Sequence, residues 1–416
     1  MDWKTILFKI IKNLKQYILL IVLVCIILFF QKVTNGTLLK PMNVSNLIFQ
    51  NAYVVIMAVG MLLCILTGGN IDLSVGSVLA LVGACAGTFA IVRGWDPHLS
   101  ILLSLLIGIG IGIWQGFLIA YMRIPAFIAT LAGMLIFRGF TLIVLKGLTL
   151  APFPREYLAY STGYIPDIFE GINLFGVRNT TSLLLGILLA VIYCIVQITS
   201  YNSRKRKGYS VESPYLLGIR LVVIAAGIIW LFSILANYRG VPMVFITLGI
   251  ILIAYSYFTS STVAGRHLYA LGGNEKAARL SGVNTRRLLF FAYVNMAFLA
   301  SVAGIVFSAR LNSAAPGAGN GFELDAIAAC FIGGASATGG IGTVGGTLIG
   351  ALIMGILNNG MSIMGIGQDW QMVVKGFVLL AAVAFDVLSK QGIITEFISR
   401  IKRIYFSAKR KGALAD

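Results

Sequence analysis

Apolar runs about twenty residues long recur along this chain. A transmembrane helix needs about 20 apolar residues to cross the hydrocarbon core. Twelve runs approach or exceed that length, the tenth of them short and interrupted by glycines, at roughly 17–33, 47–66, 73–92, 101–121, 126–145, 182–200, 217–236, 243–260, 288–308, 323–338, 344–365 and 371–388. Only 11% of the residues are charged, against about 25% in soluble domains. We therefore predict an all-α polytopic integral membrane protein with about twelve transmembrane helices.

The positions of Lys and Arg predict the orientation. If the N-terminus lies inside, the inner segments carry 21 of the 32 basic residues and the outer segments carry 8. Because cytoplasmic loops are enriched in Lys and Arg, both termini are predicted to be cytoplasmic. No small-residue cleavage site follows the first run, so it is interpreted as an uncleaved anchor. The predicted divisions are an N-terminal cytoplasmic segment (1–16), a transmembrane domain (17–388) and a basic cytoplasmic tail (389–416).

Three connections inside the transmembrane domain differ from the short loops elsewhere. The outer loop 146–181 contains three prolines and several aromatic residues, a composition that predicts an ordered cap lying on the membrane surface. The cytoplasmic linker 201–216 contains the basic run "RKRK" and is interpreted as a topology anchor, not a lipid-recognition site. The cytoplasmic loop 262–287 has helix signals of its own.

Several classes of functional site find no support in the residues. The five cysteines lie in apolar runs without a CxxC pair, and the two histidines are isolated, so no metal site is predicted. The GxGxxG match at 340–345 follows no βαβ unit, which favours close helix packing or a turn over a dinucleotide site. No GxxxxGK[ST] loop, catalytic nucleophile or catalytic base is identified. In a membrane protein the net charge of +18 does not indicate nucleic acid.

A short helix is predicted within the loop 262–287. Asn274 is a candidate N-cap, and Gly282 is a candidate left-handed C-cap. Glu275 in the first turn and Arg279 near the end both match the helix macrodipole. A helix of about two turns is marginal in water. It therefore needs a partner surface, either lipid headgroups or another protein on the cytoplasmic face.

Three separated motifs resemble the permease subunit of ATP-binding-cassette importers for monosaccharides: "GGNIDLSVGS", "ALGGNEKAARLSGVNTRR" and "ELDAIAACFIGGASATGGIGTVGGTLIGA". The resemblance covers about 44–388 and is to the ribose, galactoside and xylose permeases. Simpler members resemble this chain without the region around 182–236. The resemblance thus implies a ten-helix core with an added pair, as in xylose and broad-specificity permeases, and favours xylose, arabinose or galactose over ribose.

The same resemblance implies partners and a coupling site. Two copies of the chain would pair around one pathway in the cell membrane, a sugar-binding protein would deliver the monosaccharide outside, and an ATPase subunit would bind ATP and Mg inside. This chain itself would hold no cofactor. The predicted short helix would be the coupling helix that docks into the ATPase, a role carried onto Asn274, Glu275, Ala277, Ala278, Arg279 and Gly282.

Two acidic spots leave alternatives open. A charge at the centre of a membrane helix costs about 2.5–3.5 kcal/mol on insertion scales. Asp72, near Asn70 and Ser74, either caps the next helix through the N–H groups of residues 74 or 75 or contacts a gate or pathway. Glu323 and Asp325 either act as anions at a helix N-terminus, worth about 0.3–1 kcal/mol, or receive a binding partner or the hydroxyls of a sugar.

A pathway for an uncharged polyol is expected to offer neutral donors, neutral acceptors and aromatic faces. The candidates of this kind are Asn70, Asn358, Asn359, Gln368, Trp370 and Gln371. An alternative function is a secondary transporter or channel, but charges within the spans are sparse for a proton or sodium relay. A third class, an enzyme acting on lipid-linked sugars, predicts an acidic or histidine cluster that the sequence does not contain.

Overall fold

A computed structural model describes residues 19–169, 176–209, 211 and 213–390. The predicted segment 1–16, the tail from 391 to 416, and residues 170–175, 210 and 212 of two predicted connections lie outside the described residues. The helices are α1 (Leu19–Val33), α2 (Pro41–Leu66), α3 (Val75–Gly87, continued by a π-helical segment, Thr88–Val92), α4 (Pro97–Ala120), α5 (Ala126–Leu145), α6 (Arg155–Thr162), α7 (Thr180–Arg206), α8 (Pro214–Ala236), α9 (Met243–Ser261), α10 (Val263–Gly273), α11 (Glu275–Leu280), α12 (Thr285–Leu311), α13 (Phe322–Ile332), α14 (Val344–Ile363) and α15 (Gln368–Lys390).

Ten helices of the described part are long and apolar enough to cross a membrane, which confirms the predicted all-α polytopic class. The tenth predicted run, expected to be short and interrupted by glycines, contains α13, which has 11 residues. Eleven residues rise about 16 Å, roughly half of a 30 Å hydrocarbon core. The helix therefore occupies the first part of the predicted run 323–338 and ends where the glycines interrupt it. The chain leaves the helix at Gly333 and Gly334, where Gly334 takes a left-handed φ of +86°.

The centre of the bundle is formed by α2 and α12. Residues 54–66 of α2 are buried throughout, and α12 packs against α2, α3 and α4. Glycines spaced by four along α4 permit its close contact with α12. A Cβ atom at Gly108 would lie 1.6 Å from Ser301 Oγ, and one at Gly112 would lie 2.8 Å from Val294 Cα. Small residues at this spacing let helix backbones approach, which explains part of the high glycine content.

The helices α7 and α8 form a hairpin at the edge of the bundle. They pack mainly on each other, with Gly186 of α7 against Phe232 of α8. An apolar cluster that includes Val44 of α2 and Val241 joins the hairpin to the core. These are the two helices predicted as an addition to a ten-helix core, and the basic run of the predicted linker begins in the last turn of α7. Cations at that position complement the helix macrodipole.

The predicted outer loop folds back onto α12. Tyr157 of α6 is fully buried, and its hydroxyl lies 2.7 Å from Ser308 Oγ of α12. One turn later, Ser161 Oγ donates to the carbonyl of Val306 at 3.0 Å. The ring of Phe153 stacks on Tyr157. The described part of this loop therefore packs against protein. Helix α6 contacts the C-terminal part of α12, which contributes residues to the candidate site.

Candidate functional site

The loop 262–287 contains two helices where the sequence predicted one. The additional helix, α10, begins after Thr262, whose Oγ1 accepts from the N–H of Gly265 at 3.0 Å. Leu268 and Leu271 are buried against the body of the protein. Three-residue spacing places these two leucines on one face of the helix, so α10 is anchored to the bundle while α11 extends beyond it.

The short helix α11 has the caps that were predicted for it. Asn274 Oδ1 accepts from the N–H of Ala277 at 3.0 Å. Glu275 lies in the first turn and Arg279 in the last turn, as the macrodipole favours. Gly282 has φ of +84°, and its N–H donates to the carbonyl of Arg279 at 3.1 Å. These bonds define a helix of 6 residues by local sequence alone.

Most of the surface of α11 faces away from the other described residues. Ala278 is the buried residue of this helix, at 6% exposure, whereas Leu280 is 89% exposed. Isolated helices of this length are marginal in water, and the α11 surface around Leu280 gains little from packing within the chain. The geometry is that of a projecting knob, with the apolar side chain of Leu280 beside three exposed charged ones.

The segment around Asp72 connects α2 to α3 without helical structure. Asp72 is buried, and its Oδ1 accepts from the N–H of Ser74 at 2.8 Å and from Ser74 Oγ at 2.7 Å. Gln115 Nε2 of α4 donates to Ser74 Oγ at 2.9 Å. The predicted bond to Ser74 is therefore present and closes the turn before α3. Asn70 lies in the same connection and donates to Thr67 Oγ1 at 3.1 Å.

Glu323 and Asp325 both lie in the first turn of α13, but their carboxylates face different partners. Asp325 is 2% exposed, and Lys375 Nζ of α15 lies 3.0 Å from each of its oxygens. This ion pair joins α13 to α15 and was not predicted. Glu323 faces the first turn of α3, because a Cβ atom at Gly76 would lie 2.6 Å from Glu323 Oε2. The starts of α3 and α13 therefore meet.

A cavity of about 700 Å³ lies between α13, α15 and the end of α12. This volume falls within the range of small-molecule sites, roughly 300–1,000 Å³. The glycine-rich stretch 317–321 forms one wall, and Phe307 and Phe322 contribute aromatic rings. The polar side chains of the lining are Asn320, Glu323, Gln368, Gln371 and Lys375. Amides and opposite charges in one space suit a neutral ligand with many hydroxyl groups.

The structure brings some predicted pathway residues together and separates others. Glu323, Gln368 and Gln371 line the cavity. Asp325 does not line it but forms an ion pair with Lys375, which does. The side chains of Asp72, Asn70 and Ser74 belong to the α2–α3 connection. Trp370 is 62% exposed and does not contribute to the lining.

The two asparagines of α14 have different environments. Asn359 Nδ2 donates to Asn43 Oδ1 and to Gln50 Oε1, both at 3.2 Å, so its amide ties α14 to α2. The Oδ1 atom of Asn358 is buried without a hydrogen-bond partner in the described structure. Neither lines the cavity. Asn359 is therefore placed in a structural network within the bundle.

The sequence interpretation did not include Asn320 or Lys375 among the pathway residues. Lys375 lies within the predicted span 371–388, and its partner lies 50 positions away in sequence. A charge inside an apolar helix predicts a partner or a polar cavity, and that signal was available. The stretch "APGAGNG" before α13 was also a signal for irregular backbone, which is tolerated at membrane depth beside protein or a water-filled space.

Known proteins match most of the chain. Residues 43–383 match the family described as branched-chain amino acid transport system / permease component. The xylose transport system permease protein of Escherichia coli (strain K12) is 38% identical over 382 residues, covering 91% of this chain and 93% of the relative. The ribose import permease protein of Escherichia coli (strain K12) is 37% identical over 344 residues, covering 83% and 85%. That of Bacillus subtilis (strain 168) is 34% identical over 377 residues, covering 91% and 93%. No solved structure matches the chain.

Proposed function

This chain belongs to the permease component family of branched-chain amino acid transport systems, and from that premise we propose that it imports a monosaccharide. It would be the multi-pass, cell-membrane subunit of an ATP-binding-cassette importer. Relatives that match over nine-tenths of its length are named for xylose and ribose transport. The added hairpin α7–α8 favours a sugar of the xylose, arabinose or galactose type. The family is one of transport permeases, and we assign no catalytic residue to the chain.

The observation that carries the proposal is the projecting, self-capped helix α11. A permease without a phosphate-binding loop needs a second chain to bind ATP and Mg²⁺, and that chain needs a docking site. Asn274, Glu275, Arg279 and Gly282 shape α11. Ala277 adds a small exposed side chain, and Ala278 packs the helix against the bundle. Leu280, at 89% exposure, adds an apolar contact. We propose that the ATPase subunit receives this knob in a cleft.

The cavity between α13 and α15 is the proposed part of the pathway. A neutral polyol offers hydroxyl groups as both donors and acceptors, which the Gln368 and Gln371 amides can match. Lys375 is paired with Asp325, and Glu323 adds a carboxylate to the lining that can accept hydrogen bonds from hydroxyl groups. Two copies of the chain would form the complete pathway, and an extracytoplasmic sugar-binding protein would deliver the sugar.

Reconstitution with the ATPase subunit that co-purifies with the chain tests the coupling assignment. Glu275→Lys with Arg279→Glu reverses both macrodipole interactions and the charge pattern of the knob. We expect loss of ATPase co-purification and of ATP-driven uptake of labelled xylose, with membrane insertion unchanged. Arg204→Glu reverses an exposed charge at the end of α7 and serves as the matched control. Normal co-purification and uptake by the double variant would remove the assignment.

The cavity assignment has its own test. Glu323→Gln removes a carboxylate that lines the cavity, so we expect a higher KM for sugar uptake and an unchanged amount of bound ATPase. Asp369→Asn makes the same chemical change in the exposed first turn of α15, outside the lining, and we expect no effect. Equal kinetics for the two variants would place the pathway elsewhere.

The alternative of a secondary transporter or channel predicts activity without a motor. Vesicles that contain this chain alone, with a proton or sodium gradient imposed, should then accumulate labelled xylose against its concentration gradient. We expect no accumulation until the ATPase subunit and ATP are supplied. Uphill uptake by the isolated chain would overturn the proposal in favour of the alternative.

A further inference from the structure

Three segments that are distant in sequence meet backbone to backbone in a contact that we call the glycine junction, formed by Gly69, Gly272, Gly339 and Gly340. Gly69 belongs to the connection from α2 to α3, Gly272 to α10, and the other two to the connection from α13 to α14. The N–H of Gly340 donates to the carbonyl of Leu66, the last residue of α2, at 3.2 Å. The junction therefore links α10 directly to two breaks in the bundle.

The approach is too close for any side chain. A Cβ atom at Gly272 would lie 1.9 Å from the carbonyl oxygen of Leu66 and 2.4 Å from the nitrogen of Gly340. A Cβ atom at Gly339 would lie 2.4 Å from Gly68 Cα. Backbone atoms in direct contact cannot absorb a displacement by changing rotamer, so packed segments of this kind transmit strain.

On one side, the junction continues into the helix that projects from the bundle. Helix α10 ends at Gly273, and the next residue, Asn274, already caps α11. A single residue therefore separates the two helices. A second contact reinforces the link, because the Tyr269 hydroxyl of α10 donates to the carbonyl of Gly342 at 2.8 Å.

On the other side, the junction continues into the cavity wall. The connection 333–343 starts at the end of α13, whose first turn places Glu323 in the cavity lining. The N–H of Ala337 in this connection donates to Asp386 Oδ2 of α15 at 3.1 Å. The Asp325–Lys375 ion pair joins the same two helices nearer the cavity. The walls of the cavity that α13 and α15 form are thus attached to the segment that α10 touches.

We propose that Tyr269, Gly272 and Gly340 are positioning residues that transmit movement of α11 through the connection 333–343 to α13, and so open or close the cavity. The inference rests on the proposed function, since it assumes that an ATPase moves α11. It adds a defined path from the docking knob to the pathway. Such a path requires an element with two arrangements that both ends bias, and in this proposal the half-length helix α13 would be that element.

The test measures sugar transported per ATP hydrolysed in vesicles that contain the chain with its co-purified ATPase subunit. Gly272→Ala inserts a methyl group into the junction, and we expect it to retain ATPase binding and hydrolysis while lowering labelled-xylose uptake at least tenfold. Gly273→Ala is the matched control, because a Cβ atom at that neighbouring position meets nothing within 4 Å. Tyr269→Phe, which removes one hydroxyl, is expected to lower the ratio by a smaller factor.

The outcomes distinguish failure of the proposed path from failure of the proposed function. Wild-type coupling in both Gly272→Ala and Tyr269→Phe would overturn the path, while sugar uptake by the wild-type chain with its ATPase would leave the proposed function intact. If wild-type vesicles fail to take up sugar, the proposed function fails instead. If Gly272→Ala does not fold, Tyr269→Phe alone decides: parallel loss of hydrolysis and uptake indicates a structural role, and loss of uptake alone supports transmission.

Discussion

Removing one charge of the Asp325–Lys375 pair should destabilise the protein more than removing both. Lys375→Met deletes the ammonium but keeps the length of the side chain. The carboxylate of Asp325 would then remain at 2% exposure without its cation. Two unit charges 3.0 Å apart attract by roughly 5.5 kcal/mol at an effective dielectric constant of about 20. Breaking one side of a buried pair typically costs about 3–5 kcal/mol.

Because Lys375 keeps 26% exposure, water screens part of this attraction, and we expect a loss of about 3 kcal/mol for Lys375→Met. The double variant Asp325→Asn with Lys375→Met leaves no buried charge, so its loss should be smaller than that of Lys375→Met alone. The difference from additivity should be about 2 kcal/mol, within the range measured for residues in contact.

The assay is a double-mutant cycle of reversible unfolding in mixed detergent micelles. Lys205→Met, at an exposed position in the last turn of α7, is the control for loss of a lysine and should change stability by less than about 0.5 kcal/mol. If the losses of Asp325→Asn and Lys375→Met simply add, the pair contributes no coupling. The assignment of this ion pair as the tie between α13 and α15 would then be wrong.

Three further changes test other contacts. Tyr157→Phe removes a buried hydroxyl that lies 2.7 Å from Ser308 Oγ and should cost about 1 kcal/mol of unfolding free energy in the same assay. Asn359→Ala should cost about 1–3 kcal/mol by leaving its amide partners unsatisfied, while the KM of sugar uptake stays unchanged. Hydrogen bonds from Thr181 hold the pKa of Asp167 below its usual value. The exchange protection of the Thr181 amide should therefore be full above about pH 4 and fall as pH drops through the lowered pKa. In Asp167→Asn this pH dependence should disappear.

Features that depend on neighbours in sequence were predictable. The N-cap at Asn274, the left-handed Gly282 and the bond that the Ser74 N–H donates to Asp72 all join residues at most four positions apart. Asn274 and Asp72 bond through their side chains to backbone N–H groups, and Gly282 donates its own N–H to a carbonyl at the end of the helix. Such contacts form whatever surrounds them, so the local sequence carries the whole signal. The same reasoning applies to the apolar lengths that define the ten long helices.

Helix α10 shows where local signals are weaker. Its sequence "VAGRHLYALGG" contains three glycines, each of which costs roughly 0.8–1 kcal/mol of helix propensity relative to alanine. The helix forms because Leu268 and Leu271 bury themselves against the bundle and because Thr262 caps it. The cap was readable in the sequence, whereas the burial depends on tertiary packing.

The site itself depended on contacts between distant parts of the chain. Lys375 meets Asp325 across 50 positions, and Gly272 meets Leu66 across a far longer separation. Glycine spacing predicts that some helix will pack closely but not which one. For the same reason, the predicted pathway residues divide into those of the cavity, such as Gln371, and those of a structural network, such as Asn359. No periodicity within one helix distinguishes these two fates.

Three non-helical segments interrupt the bundle, and each of them lies at the glycine junction or at the cavity. Residues 67–74, 312–321 and 333–343 each interrupt helical structure, and irregular backbone at membrane depth needs protein or a water-filled space around it. The first and third of these segments satisfy that need against each other and α10 in the glycine junction, and the second does so as a cavity wall. A regular span in place of α13 would close the cavity and remove the junction together. In the proposed mechanism, these breaks in the apolar pattern act together, and the half-length helix α13 would connect the cavity to helix α11.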